Sequence, residues 1–183
     1  MNTDEKVIAQ MKCWIETVII ELNICPFARH EFVNNNIHYQ VQHSADLEQA
    51  LFTLADEFQR LGNEPDIETT LLIFPDAFSD FEDFLTLIDY ANELIDDLDF
   101  RSTYQLAHFH PLYCFEGSDH NDAANYTNRA PSPTLHLIRE ASLQQAIENH
   151  SDTADIPETN IKLTRQLGLN KMQGLLDNCL KTT

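Results

Sequence analysis

A chain of 183 residues with 43% apolar side chains has the length and composition of one globular domain that buries its own core. Its 30 acidic against 11 basic residues give a formal net charge of −19, which repels phosphate backbones and anionic bilayers and so argues against nucleic-acid and membrane partners. The N-terminal residues lack the basic stretch of a secretory signal, and no apolar run approaches the roughly 18 residues of a membrane span. The four cysteines show no paired spacing, so the expected setting is a reducing cytoplasm with free thiols.

The first element is a helix over 4–23, where Val7, Ile8, Met11, Trp14, Ile15, Val18, Ile19 and Leu22 recur at three- and four-residue spacing. Asp4 and Glu5 suit its first turn, and Pro26 stops it, leaving Cys25 at the helix C-terminus. Phe27, Phe32 and Asn34 to Asn36 read as a loop. Ile37 to His43 alternates apolar and polar residues, as a half-buried strand does.

Ser44 to Asp46 opens a second helix over 45–61, with Gly62 expected to cap it. Thr69 to Phe74, with Leu71, Leu72 and Ile73 in succession, reads as a central strand covered on both faces. A capping box from Ser79 to Glu82 begins a third helix over 80–98, and Ser102 to His110 forms a strand ended by Pro111. The stretch Gly117–Arg129 has no hydrophobic period, and loops of that length are usually functional or mobile.

Thr134 to Arg139 is the fourth strand and Ala141 to Asn149 a short helix. Pro157 suits the first position of a further helix, which Gly168 interrupts, and Asn170 is expected to cap the last one through Leu180. This order predicts a single α+β domain over 1–183, with a small mixed sheet of about four strands packed by amphipathic helices.

Residues with chemical capacity concentrate between Tyr104 and Glu140. His108 and His110 stand two apart on a strand and share a face, while His136 lies on the next strand. The three imidazoles, with Asp119 or His120 as a fourth ligand, suit a divalent metal such as zinc, which would activate a water. The spacing matches no metal signature, and a polar cleft or a core hydrogen-bond network is the structural alternative. Cys25 could act as a nucleophile only if the fold brings an imidazole or Arg129 to it, because a helix C-terminus disfavours the thiolate. Otherwise it is a small buried hydrophobe, as free cysteine commonly is. Cys114 has the same two readings. Arg129 offers a bidentate fork to an anion or a salt bridge to Glu116, Asp119 or Asp122, and Arg139 could do the same.

Three separated motifs carry a family resemblance. They are Leu22-Asn23-Ile24-Cys25-Pro26-Phe27-Ala28, then His110-Pro111 with Phe115, then Thr127-Asn128-Arg129 with Pro131, Pro133, Thr134, His136 and Leu137. In their order, and with Ile156-Pro157 and Leu167-Gly168 closing the pattern, the chain resembles the bacterial family catalogued as domain of unknown function 1415. The resemblance implies one fold unit over nearly the whole chain and no reaction type. From residue chemistry alone, Cys25, His108, His110, Arg129 and His136 are expected to converge in one cleft. That cleft would act on a small anionic metabolite by acid–base, thiol or metal-assisted chemistry, or serve without catalysis as a ligand- or protein-binding site, with the acidic surface meeting a basic protein.

Overall fold

The computed structural model describes residues 3–148 and 155–182. The first helix, α1 (Thr3–Trp14), continues as a π-helical segment, Ile15–Ile20, with bonds such as Glu21 N–H to the Glu16 carbonyl. Asn23 ends it in a left-handed conformation at φ 55°, which asparagine tolerates better than most residues. A short helix α2 (Ala28–Val33) occupies the expected loop; Phe32 turns inward and Val33 stays exposed.

Next come β1 (Ile37–Val41), α3 (Leu47–Asn63), β2 (Thr69–Ile73), α4 (Phe81–Asp97), β3 (Tyr104–Phe109) and β4 (Thr134–Arg139). The last helices are α5 (Glu140–Glu148), α6 (Ile156–Leu167) and α7 (Leu169–Leu180). The expected end of α5 at Asn149 lies outside the described residues. Asp46 caps α3 through the N–H groups of Glu48 and Gln49, and Asp80, one residue past the expected Ser79, caps α4. Gly62 lies inside α3 rather than ending it. The α3 terminus is closed instead by Arg139, whose guanidinium reaches the carbonyls of Leu61, Glu64 and Ile67. Gly168, at φ 82°, breaks α6 from α7 and stands at the cap position expected of Asn170.

The strands form one mixed sheet in the order β1-β2-β4-β3. β1 runs parallel to β2, and β4 pairs antiparallel with both β2 and β3. Each face carries a core. On one, Leu72, Leu135, Leu137 and Leu106 meet α3 and α4 through Leu54, Phe58, Phe84 and Leu87. On the other, Tyr39, Leu71, Ile73 and Phe109 meet α1, the π segment and α7 through Met11, Trp14, Ile19 and Met172. The architecture is the expected α+β domain, with helices on both faces of a four-stranded mixed sheet.

Part of the expected loop Gly117–Arg129 is core. Ala123–Thr127 is a 3-10 helix, buried throughout and packed on α6. Asp122 caps it and takes a bidentate contact from Arg165 of α6. The buried amide of Asn125 accepts from Phe115 N–H and donates to the Asp119 carbonyl, which shapes the preceding residues.

Candidate functional site

Strand register decides which candidate residues can meet. His136 pairs with Ala107 on β3 and Leu71 on β2, whereas His108 pairs with Leu135. Directly paired residues share a face, so His136 projects into one core and His108 into the other. The expected convergence of Cys25, His108, His110, Arg129 and His136 in one cleft is therefore corrected: the sheet puts His108 and His110 on one side and His136, with Cys25, on the other. A three-imidazole metal site from His108, His110 and His136 is ruled out by the same parity. No group of three or more histidine, cysteine or acidic side chains among the described residues is arranged to hold an ion.

His108 and His110 do share a face, as their spacing predicts, and both pack on Phe84 of α4. His110 is fully buried. Its Nδ1 accepts from Leu112 N–H, so Nε2 carries the proton and donates to the carbonyl of Phe78. Burial pushes its pKa below the ordinary value, as it does for His108, where neighbouring His110 adds to the effect. His110 thereby pins the approach to α4 to the end of β3, and half-buried His108 packs beside it on Phe84.

Arg129 fixes its own loop. Nε donates to the Tyr113 carbonyl and Nη2 to the His120 carbonyl, and the guanidinium lies 4.8 Å from the centre of the Tyr126 ring. The fork that could have held an anion is used on backbone.

On the opposite face, between the sheet and the helices, lies a cavity of about 480 Å³. Its floor is sheet: Ile37, Thr69, Leu71, Ala107, Phe109, His136 and Ile138. Trp14, Ile15 and Ile19 form one wall, and Ile24, Cys25, Phe27, Ala28 and Glu31 the next. Phe115, Thr127 and Asn128 come from the buried loop, Leu143 and Ala146 from α5, and Ile156, Pro157 and Asn160 from α6. Ile15 and Ile19, four apart on the π segment, both line the cavity, and such segments often accompany functional sites.

Polar groups are few and oriented. Thr69 Oγ1 donates to the Leu137 carbonyl, so the 2.7 Å contact from His136 Nε2 is a donation to Thr69. The imidazole is thereby held as the Nε2–H tautomer, leaving Nδ1 a lone-pair acceptor with no partner among the described residues. Its ring is reached from the cavity yet enclosed in depth by protein, and this desolvation pushes its pKa down to about 4. Phe109 lies between His136 and Trp14, with ring centres 5.8 and 4.9 Å away. Asn160 Nδ2 donates to the Ile24 carbonyl at 2.7 Å, which leaves Oδ1 as a second acceptor with no partner among the described residues. Trp14 is 1% exposed, and its indole N–H finds no acceptor among the described residues.

Cys25 does share this cavity with His136, so the thiol and one imidazole are brought to the same space. Burial raises the thiol pKa, outweighing the N–H groups of Phe27 and Ala28, so at neutral pH Cys25 is a thiol and not a thiolate.

The stretches that carry the family resemblance meet at this cavity. Ile24, Cys25, Phe27 and Ala28 come from the first, Phe115 from the second, Thr127, Asn128 and His136 from the third, and Ile156-Pro157 from the closing pattern. A family model described as Protein of unknown function (DUF1415) matches residues 6–174. The chain belongs to the DUF1415 family. No curated protein and no solved structure matches it. Within this DUF1415 chain, the sequence pointed to Cys25 and His136 but missed Thr69, Asn160 and Trp14. Trp14 read only as a member of the first amphipathic helix and Thr69 as the start of a strand, and Asn160 was not singled out in the helix after Pro157. The available signal was Asn160 itself, an amide buried on the inner side of α6.

Proposed function

We propose that the cavity binds a small, predominantly apolar molecule carrying a hydrogen-bond donor. The observation that carries this reading is the meeting of the motif stretches at one half-open, apolar space with a few polar groups, the usual make-up of a ligand site. His136 Nδ1 and Asn160 Oδ1 are acceptors, Glu31 and Glu68 add carboxylates, and no lysine or arginine among the described residues lines the space. An anionic metabolite, the expectation from sequence, would meet acceptors and acids there, so a neutral or cationic donor fits better. Binding is favoured over thiol catalysis because Cys25 holds its proton at neutral pH. No helix among the described residues is long and apolar enough to cross a membrane, and unpaired thiols and an acidic surface suit a bacterial cytoplasmic setting.

Calorimetry with 1-decanol and decanoate tests the reading, since the two share a chain and differ in the head group. Decanol is expected to bind at least about tenfold more tightly than decanoate, equivalent to about 1.4 kcal/mol. Ala107→Leu, which fills the floor, is expected to abolish binding. Tighter binding of decanoate would restore the anionic expectation, and equal binding of decanol by Ala107→Leu would place the ligand elsewhere.

A further inference from the structure

We infer that Cys13 and Cys179 form an oxidative modification site, converted by a peroxide to a disulfide that ties the first helix to the last. Cys13 sits on α1 and Cys179 on α7, 166 residues apart, and their Sγ atoms lie 2.9 Å from one another. A bonded pair lies at about 2.05 Å, so closure needs a movement of about 0.9 Å between two helices already in contact. The alignment is held from outside the thiols: Gln10 of α1 donates to the Leu180 carbonyl at 2.7 Å. Thr17 Oγ1 donates to the Cys13 carbonyl, so its 3.4 Å contact with Cys179 Sγ has the thiol as donor. Cys179 thus points its proton at Thr17 while its sulfur lone pairs face Cys13.

The two sulfurs differ in access, which orders the chemistry. Cys13 is half-buried and Cys179 is fully buried, with burial and Cys13 itself holding the Cys179 thiol in its protonated form. Hydrogen peroxide therefore meets Cys13 first. The Cys13 sulfur attacks one peroxide oxygen, the O–O bond breaks, and the departing oxygen leaves as water with the thiol proton, giving Cys13 sulfenic acid. Cys179 Sγ then attacks the Cys13 sulfur; the S–O bond breaks and hydroxide leaves with the Cys179 proton as a second water. Two thiols are oxidised and one peroxide is reduced to two waters.

Such a bond would close nearly the whole chain into one loop, the arrangement in which a cross-link restricts the unfolded state most. Neither sulfur lines the cavity, so this site stands apart from the binding reading. The test is treatment of the folded protein with hydrogen peroxide, followed by alkylation and intact mass. Two of the four thiols are expected to become unreactive, with Cys13 and Cys179 joined in the peptide map and Cys25 and Cys114 still alkylated. The oxidised form should melt about 10 °C higher, and dithiothreitol should reverse the shift. Cys114→Ser should behave as the parent, and Cys13→Ser should lose both the bond and the shift. Four alkylatable thiols after treatment, or a bond involving Cys25 or Cys114, would overturn the inference.

Discussion

His136 shows how one residue's surroundings set its charge and its use. Donation from Nε2 to Thr69 fixes the tautomer, and burial lowers the folded pKa from 6.5 to about 4. The unfolded chain therefore binds a proton that the folded one refuses between those values, so this contribution is present above pH 6.5 and lost as pH falls to about 4. In denaturant titrations, His136→Gln should flatten that acid limb, removing about 3 kcal/mol of difference between pH 7 and 4. An unchanged limb would mean that His136 is already solvated. His43 works with the opposite sign: Asp4 and Asp76 contact its two ring nitrogens and raise its pKa. Its contribution is complete below pH 6.5 and disappears as pH rises through the folded value, so His43→Gln should differ from the parent in acid and converge with it in alkali.

Arg139 illustrates a charge used as a cap. Its guanidinium gathers carbonyls at the end of α3, where the helix dipole is negative. Arg139→Ala should cost about 2–4 kcal/mol by chemical denaturation, more than the loss of an exposed ion pair such as Lys162 with Glu158. A loss below about 1 kcal/mol would make the cap incidental.

At the scale of elements, β4 divides the chemistry. Its alternation sends Leu135 and Leu137 to the α3–α4 side and His136 to the cavity, with β3 paired so that His108 follows Leu135. His108→Leu should therefore leave decanol binding within about twofold of the parent, while His136→Leu weakens it by about tenfold, one hydrogen bond's worth. Equal losses in calorimetry would contradict the parity.

Elements with one periodic stripe, such as α3 and α4, were legible in the sequence, and so were all four strands. Strand pairing was not legible, because the i, i+2 rule fixes faces within a strand and says nothing of which face its neighbour shares. The π segment was also hidden, since Ile15, Val18 and Ile19 satisfy the α period equally well. Glu57 falls in the apolar stripe of α3. It is buried there because Arg60 binds both carboxylate oxygens, Thr70 approaches at 3.4 Å and His38 at 3.6 Å. A carboxylate inside an apolar stripe was the visible sign of that cluster.

For the whole molecule, the arrangement follows from a sheet that is buried on both faces but packed differently on each. The α3–α4 side is closed by two 17-residue helices with aromatic and aliphatic stripes. The other side is covered by α1, the π segment, α2, α5, α6 and α7, shorter pieces that leave the cavity between them and the sheet. The stretches that resemble the family contribute walls from distant parts of the chain, so only folding shows that they serve one space.

A small donor-bearing apolar molecule is the proposed occupant of this space. Diffraction from crystals grown with 1-decanol tests it most directly. The expected density runs along the apolar wall between Trp14 and Ile138, with the hydroxyl within hydrogen-bond distance of His136 Nδ1. An alcohol bound outside the cavity, or a cavity collapsed or filled only by ordered water under saturating decanol, would contradict it.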